Sequence, residues 1–98
     1  MDICPGSIVF SKAGRDKGKY FVVLNADDAY AYICDGGLRK VTLPKKKKLK
    51  HLKSLEYIDE FISNRLNGAG KVTNREVRRC IHKYVFGTEP DESGAREE

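Results

Sequence analysis

Apolar residues in the first half of this 98-residue chain come in short runs rich in β-branched and aromatic side chains; in the second half they fall at helical spacing. Ser7-Ile8-Val9-Phe10 is the first run, and Tyr20-Phe21-Val22-Val23-Leu24 is apolar enough to be a buried strand. Asn25-Ala26-Asp27-Asp28 reads as a turn, because Asn and Asp side chains bond to nearby backbone. Tyr30-Ala31-Tyr32-Ile33-Cys34 predicts a third strand. Asp35-Gly36-Gly37 then signals a hairpin, since glycine accepts positive φ at little cost. Alternation over residues 38–43 predicts a fourth strand that Pro44 ends or confines to an edge. Weaker alternation over residues 49–57 predicts a short fifth. Several short strands at close spacing predict a small barrel, which removes edges by closing on itself.

Beyond residue 57 the period changes. Ile58, Phe61, Ile62 and Leu66 share a helical face, and Asn67-Gly68 is a stop signal. Thr73-Asn74-Arg75-Glu76 has the form of a capping box, in which threonine and glutamate satisfy each other's backbone amides. Val77, Ile81, Tyr84 and Val85 give the helix it starts an apolar stripe. The fold class expected is mostly β with C-terminal helices. Residues 1–57 form the barrel, residues 58–86 a helical extension packed on it, and residues 87–98 an acidic, disordered tail.

A chain of this length has room for one domain. Hydrophobic residues make up 40% of it, and no run approaches the roughly 20 residues that span a bilayer. Met1-Asp2-Ile3-Cys4-Pro5 has neither the positive start nor the apolar stretch of a secretory signal, so a cytoplasmic location without membrane attachment is expected. Cys4, Cys34 and Cys80 are scattered and odd in number, without a CxxC pair. They read as reduced thiols rather than disulfide partners or metal ligands.

Charge sharpens the picture. The net charge of +5 divides into +6 over residues 1–57, +3 over residues 58–86 and −4 over residues 87–98. A strongly basic small domain usually has a polyanion for a partner. Arg39, Lys40, Lys45, Lys46, Lys47, Lys48, Lys50 and Lys53 crowd into one segment with no acid among them. Lysine is a hydrated point charge suited to phosphates rather than base edges. Upstream, Ala13-Gly14-Arg15-Asp16-Lys17-Gly18-Lys19 reads as a tight loop. Gly14 and Gly18 would shape it, Asp16 would fold back onto its amides, and Arg15, Lys17 and Lys19 would project from it. Taken alone, the loop is equally an ordinary hairpin connection with solvated charges.

Pro5-Gly6-Ser7-Ile8-Val9 leading into AGRDKGK and FVVL resembles a KOW motif, an RNA-binding segment of ribosomal proteins and transcription factors. Ala29-Tyr30-Ala31-Tyr32-Ile33-Cys34-Asp35-Gly36 is similar to that family's strand ending in Asp-Gly. Arg39-Lys40-Val41 and Lys50-His51-Leu52 sit where the e-type ribosomal protein fourteen family has a basic strand and a His-Leu segment. The resemblance covers roughly residues 5–55. It departs at Gly36-Gly37, where the family has Gly-Pro, and at the longer lysine block. It implies an SH3-like barrel that binds structured RNA, usually ribosomal RNA, in or near the ribosome and its proteins.

Tyr20, Tyr30 and Tyr32 are either core residues or platforms for unpaired bases, whereas Phe10 and Phe21 belong to the core. Arg75, Arg78, Arg79 and Lys83 give the last helix a cationic side that either extends an RNA footprint or is solvated. No Ser/His/Asp set, phosphate loop or nucleotide fingerprint occurs, so no catalytic residue, metal or cofactor is expected. The expected function is non-catalytic binding of ribosomal RNA by a protein that is monomeric when free. The alternative is a protein-binding KOW module of the transcription or translation machinery.

Overall fold

The computed structural model describes residues 3–68 and 70–88. Its elements are β1 (Ser7–Ser11), β2 (Tyr20–Ala26), β3 (Tyr30–Cys34), β4 (Lys45–Lys48), β5 (Leu52–Ile58), α1 (Glu60–Asn67) and α2 (Asn74–Phe86), with a 3-10 turn at Leu49–His51. The strands form one antiparallel sheet in the order β4-β3-β2-β1-β5. β1, β2, β3 and α2 form where the hydrophobic pattern predicts them.

β4 and β5 are the two edges of this sheet, yet only the 3-10 turn separates them in sequence. Laid flat, strands about 4.8 Å apart would put those edges roughly 19 Å from each other. Three residues of 3-10 turn advance only about 6 Å. The sheet therefore curls until its edges approach at this end. The turn is fastened on both flanks: the Leu49 amide donates to the Ala29 carbonyl at 2.9 Å, and the His51 carbonyl accepts from the Lys12 amide at 2.8 Å.

Curling makes two cores from one sheet. Val9, Phe21, Val23, Ala31, Ile33 and Leu52 are buried together on the concave side, and none of them comes from a helix. On the other side Ile8, Val22 and Cys34 meet Ile62, Val72, Val77 and Cys80, from the helical half. Both faces of β2 are thus covered, so Phe21-Val22-Val23 is an unbroken apolar run rather than an alternating one. Each such buried side chain contributes about 1.5–3 kcal/mol.

Two helix caps set how the helices enter this packing. The Asp59 carboxylate accepts the Ile62 amide at 3.0 Å to start α1. Thr73 and Glu76 make the expected capping box at the start of α2, with bonds of 3.1 and 3.0 Å. Gly68 follows α1, and Gly87 ends α2 with φ +78°. Ile58 lies in β5 rather than in the first helix, and Phe61 and Val85 are exposed. The apolar stripe of α2 is therefore shorter than its spacing predicts.

Residues 38–43 are not the fourth strand. The Asp35 carboxylate accepts the Gly37 and Arg39 amides at 2.8 and 2.9 Å, and the Asp35 and Gly36 amides both donate to the Arg39 carbonyl at 3.0 Å. The Asp-Gly segment closes on itself instead of turning a two-residue hairpin. The start of α2 takes the next backbone groups: Val41 donates its amide to the Asn74 side chain at 2.8 Å, and the Gly36 carbonyl accepts Arg78 Nη1 at 2.7 Å. The fourth strand is the lysine run itself, paired with β3 and open on its other side. Phe10, expected in the core, is partly exposed and rests edge-on against Tyr20 with centroids 5.2 Å apart. The acidic tail expected over residues 87–98 lies, from residue 89 onward, outside the described residues.

Candidate nucleic-acid interface

Residues 12–19 join β1 to β2 in a succession of tight turns. Lys17 donates its amide to the Gly14 carbonyl at 3.2 Å, Gly18 to Ser11 at 2.9 Å and Lys19 to Asp16 at 3.1 Å. Gly14 and Gly18 hold φ of +80° and +88°, a region that side chains disfavour. The folding of this loop leaves Lys12, Arg15, Lys17 and Lys19 exposed.

Asp16, the single acid of the loop, is turned inward. Its carboxylate is 2% exposed and accepts Arg39 Nη2 at 3.2 and 3.4 Å, rather than the loop amides that turn chemistry favours. A carboxylate this buried needs a partner, and Arg39 supplies it from 23 residues away. The loop therefore presents cations alone to solvent.

Lys47 makes a second cross-link. Adjacent side chains on a strand point to opposite faces, so β4 cannot display all four lysines. Lys46 and Lys48 are exposed, Lys45 is partly so, and Lys47 is 8% exposed with Nζ donating to the Ala13 carbonyl at 2.6 Å. A Cβ on Gly14 would lie 3.0 Å from that Nζ, so the glycine leaves room for the lysine head as well as setting the turn.

These two contacts, Arg39–Asp16 and Lys47–Ala13, pin the first basic segment of the sequence to the second. Of the residues read from sequence as phosphate contacts, Arg15, Lys17, Lys19, Lys40, Lys46, Lys48 and Lys50 are exposed on these linked segments. Lys53 is exposed on the other edge strand, opposite Phe10. Arg39 and Lys47 instead hold the platform together. Lys12 shares the loop's exposure and was not among the expected contacts; its position beside the glycine loop was the available signal.

The aromatic residues divide. Tyr20 is absorbed by packing, 5.2 Å from Phe10 and 6.2 Å from Tyr84, which in turn lies 5.2 Å from Tyr57. Tyr30 and Tyr32 stay partly exposed on β3. Arg78 on α2 braces the Gly36 carbonyl, so at least one cation of that helix has a structural task.

Among the described residues no cluster of His, Cys, Asp and Glu could hold a metal ion, no helix is long and apolar enough to cross a membrane, and the three cysteines are free thiols. Burial pushes the Cys34 thiol up to about 12, with Asp35 adding to the effect. Burial and the neighbouring Asp59 push Cys80 up as well. Both thiols are therefore poor nucleophiles. The chain matches no protein-family model and no curated protein.

Proposed function

We propose that this chain is a non-catalytic RNA-binding protein of KOW type, an SH3-like barrel that holds ribosomal RNA as a ribosomal or ribosome-associated protein. One observation carries the reading. Arg39–Asp16 and Lys47–Ala13 bind the glycine loop to the lysine segment, and the first of them buries the loop's only acid. Cations gathered on a rigid base displace the counterions of a phosphate backbone, which gives affinity with steep salt dependence. The strand order and the short connection that curls the sheet support the barrel assignment.

The test is the salt dependence of binding to a duplex RNA. Replacing the exposed Lys46, Lys48 and Lys50 by alanine should reduce the slope of log K against log salt by up to about 0.9 per lost contact. An unchanged slope removes β4 and its turn from the interface.

The alternative of a protein-binding module is favoured by Leu38 and Leu43, 74% and 79% exposed on the segment before β4. A partner that survives ribonuclease treatment and is lost in the Leu38→Ser, Leu43→Ser variant would replace the RNA reading.

A further inference from the structure

Two tyrosines of β3 are left over from the packing of the molecule. Side chains two residues apart share a face of a strand, so Tyr30, Tyr32 and Cys34 lie on one face of β3. The helical half covers that face at its Cys34 end, where Cys34 joins the cluster of Ile62, Val77 and Cys80. Tyr30 and Tyr32 belong to neither buried cluster.

The register places each of them directly opposite an exposed lysine, Tyr30 against Lys48 and Tyr32 against Lys46. Facing residues on antiparallel strands share a side of the sheet, with Cβ atoms about 5 Å apart. Lys46 Nζ already sits 4.4 Å from the centroid of the Tyr30 ring, a cation–π contact across the diagonal. The backbone beneath Tyr30 is fixed, because the Asp27 carboxylate accepts the Ala29 and Tyr30 amides at 2.9 and 2.8 Å. Beside it a cleft of about 440 Å³ opens between Asp28, Ala29, Tyr30, Lys48, Leu49 and Lys50. Asp28 sets a carboxylate on its rim that tolerates a base edge and repels a phosphate.

Two strand residues span about 6.6 Å, close to two steps of roughly 3.4 Å in a stacked single strand. Rings at that spacing beside lysines have the makings of a single-strand site, in which bases stack and the backbone meets cations. A duplex offers no open base faces to such rings. We propose that the outer face of β3 and β4 binds a short unpaired stretch of RNA, its bases stacked on Tyr30 and Tyr32 and its phosphates held by Lys46, Lys48 and Lys50. This site presupposes the RNA-binding role proposed above and adds to it a stretch of unpaired RNA.

The test uses the full chain, an unstructured oligoribonucleotide of about ten nucleotides and a perfectly paired RNA hairpin, with fluorescence anisotropy at low ionic strength. Tyr30→Ala and Tyr32→Ala should each weaken the oligonucleotide by about five- to a hundredfold and leave the hairpin unchanged. Tyr30→Phe and Tyr32→Phe keep the rings and should keep the affinity. Unchanged oligonucleotide binding by the alanine variants, with the wild type binding both RNAs, overturns the stacking site alone. A wild-type chain that binds neither RNA overturns the RNA-binding role as well. Because an alanine variant that unfolds would lose both ligands, the wild type is also photo-crosslinked to a 4-thiouridine oligonucleotide. Adducts on Tyr30 or Tyr32 are expected, and adducts confined to other residues overturn the site.

Discussion

Lys45, Lys46, Lys47 and Lys48 are identical in the sequence and unlike in the fold. Lys47 lies 8% exposed with its ammonium on the Ala13 carbonyl, while Lys48 is exposed and Lys46, also exposed, sets its ammonium over the Tyr30 ring. A hydrogen bond from a charged donor contributes about 1.5–3 kcal/mol, whereas an exposed lysine away from such contacts contributes within about 0.5 kcal/mol. Lys47→Ala should therefore lower the urea midpoint clearly, Lys48→Ala should barely move it, and Lys46→Ala should cost no more than its exposed cation–π contact with Tyr30, about 0.5–1 kcal/mol. Equal effects at all three positions would mean that Lys47 is not the lysine holding the loop. Asp16 belongs to the same scale. Turn chemistry rightly marks it as the loop residue with a structural task, yet the partner it takes is Arg39, 23 residues away. Nothing local in AGRDKGK points to that arginine.

At the scale of elements, short-range signals were legible where the bonds they imply are also short-range. The Thr73–Glu76 capping box closes within three residues as its residue types predict, and so does the turn at Asp27, although Asn25 and Ala26, expected in that turn, stay in β2. The apolar runs of β2 and β3 announce themselves because Phe21, Val22 and Val23 in one, and Ala31, Ile33 and Cys34 in the other, are buried where they stand. Residues 38–43 mislead because their alternation is that of a strand while their backbone partners are Asp35 and Asn74. Lysine has little intrinsic preference for strands, so β4 was hidden in its own composition; its pairing with β3 decides it. Gly36 shows how closely α2 seats on this segment. A Cβ there would fall 2.3 Å from the Asn74 carbonyl oxygen and 2.8 Å from Arg78 Cγ, at φ +79°. Gly36→Ala should cost about 2–4 kcal/mol and lower the melting temperature, followed by far-UV circular dichroism, by about 10–20 °C. Thr73→Ala, which removes only the cap, should cost about 1 kcal/mol. A Gly36→Ala variant as stable as wild type would refute the close docking of α2.

For the whole molecule, two thiols buried between sheet and helices tie stability to pH. The folded chain holds the Cys34 proton up to about 12 against an ordinary 9.0, and it holds the Cys80 proton more tightly than an exposed thiol would. An unfolded chain releases both from about pH 8.5 upward. Stability is therefore complete below that value and falls as pH climbs toward 12. The urea midpoint should stay level between about pH 7 and 8 and decline between about pH 9 and 11, and Cys34→Ala should make the decline shallower. An equally steep decline in the variant assigns it to other groups.

The lysine strand at the rim also governs how the molecule meets its own kind. A bare strand edge ordinarily invites a second copy to extend the sheet. Here an approaching twin would bring rows of ammonium groups to within about 5 Å of each other, a repulsion relieved only by salt or by an anion lying between them. On the function proposed above, that border would repel a sister chain and attract a thread of phosphates.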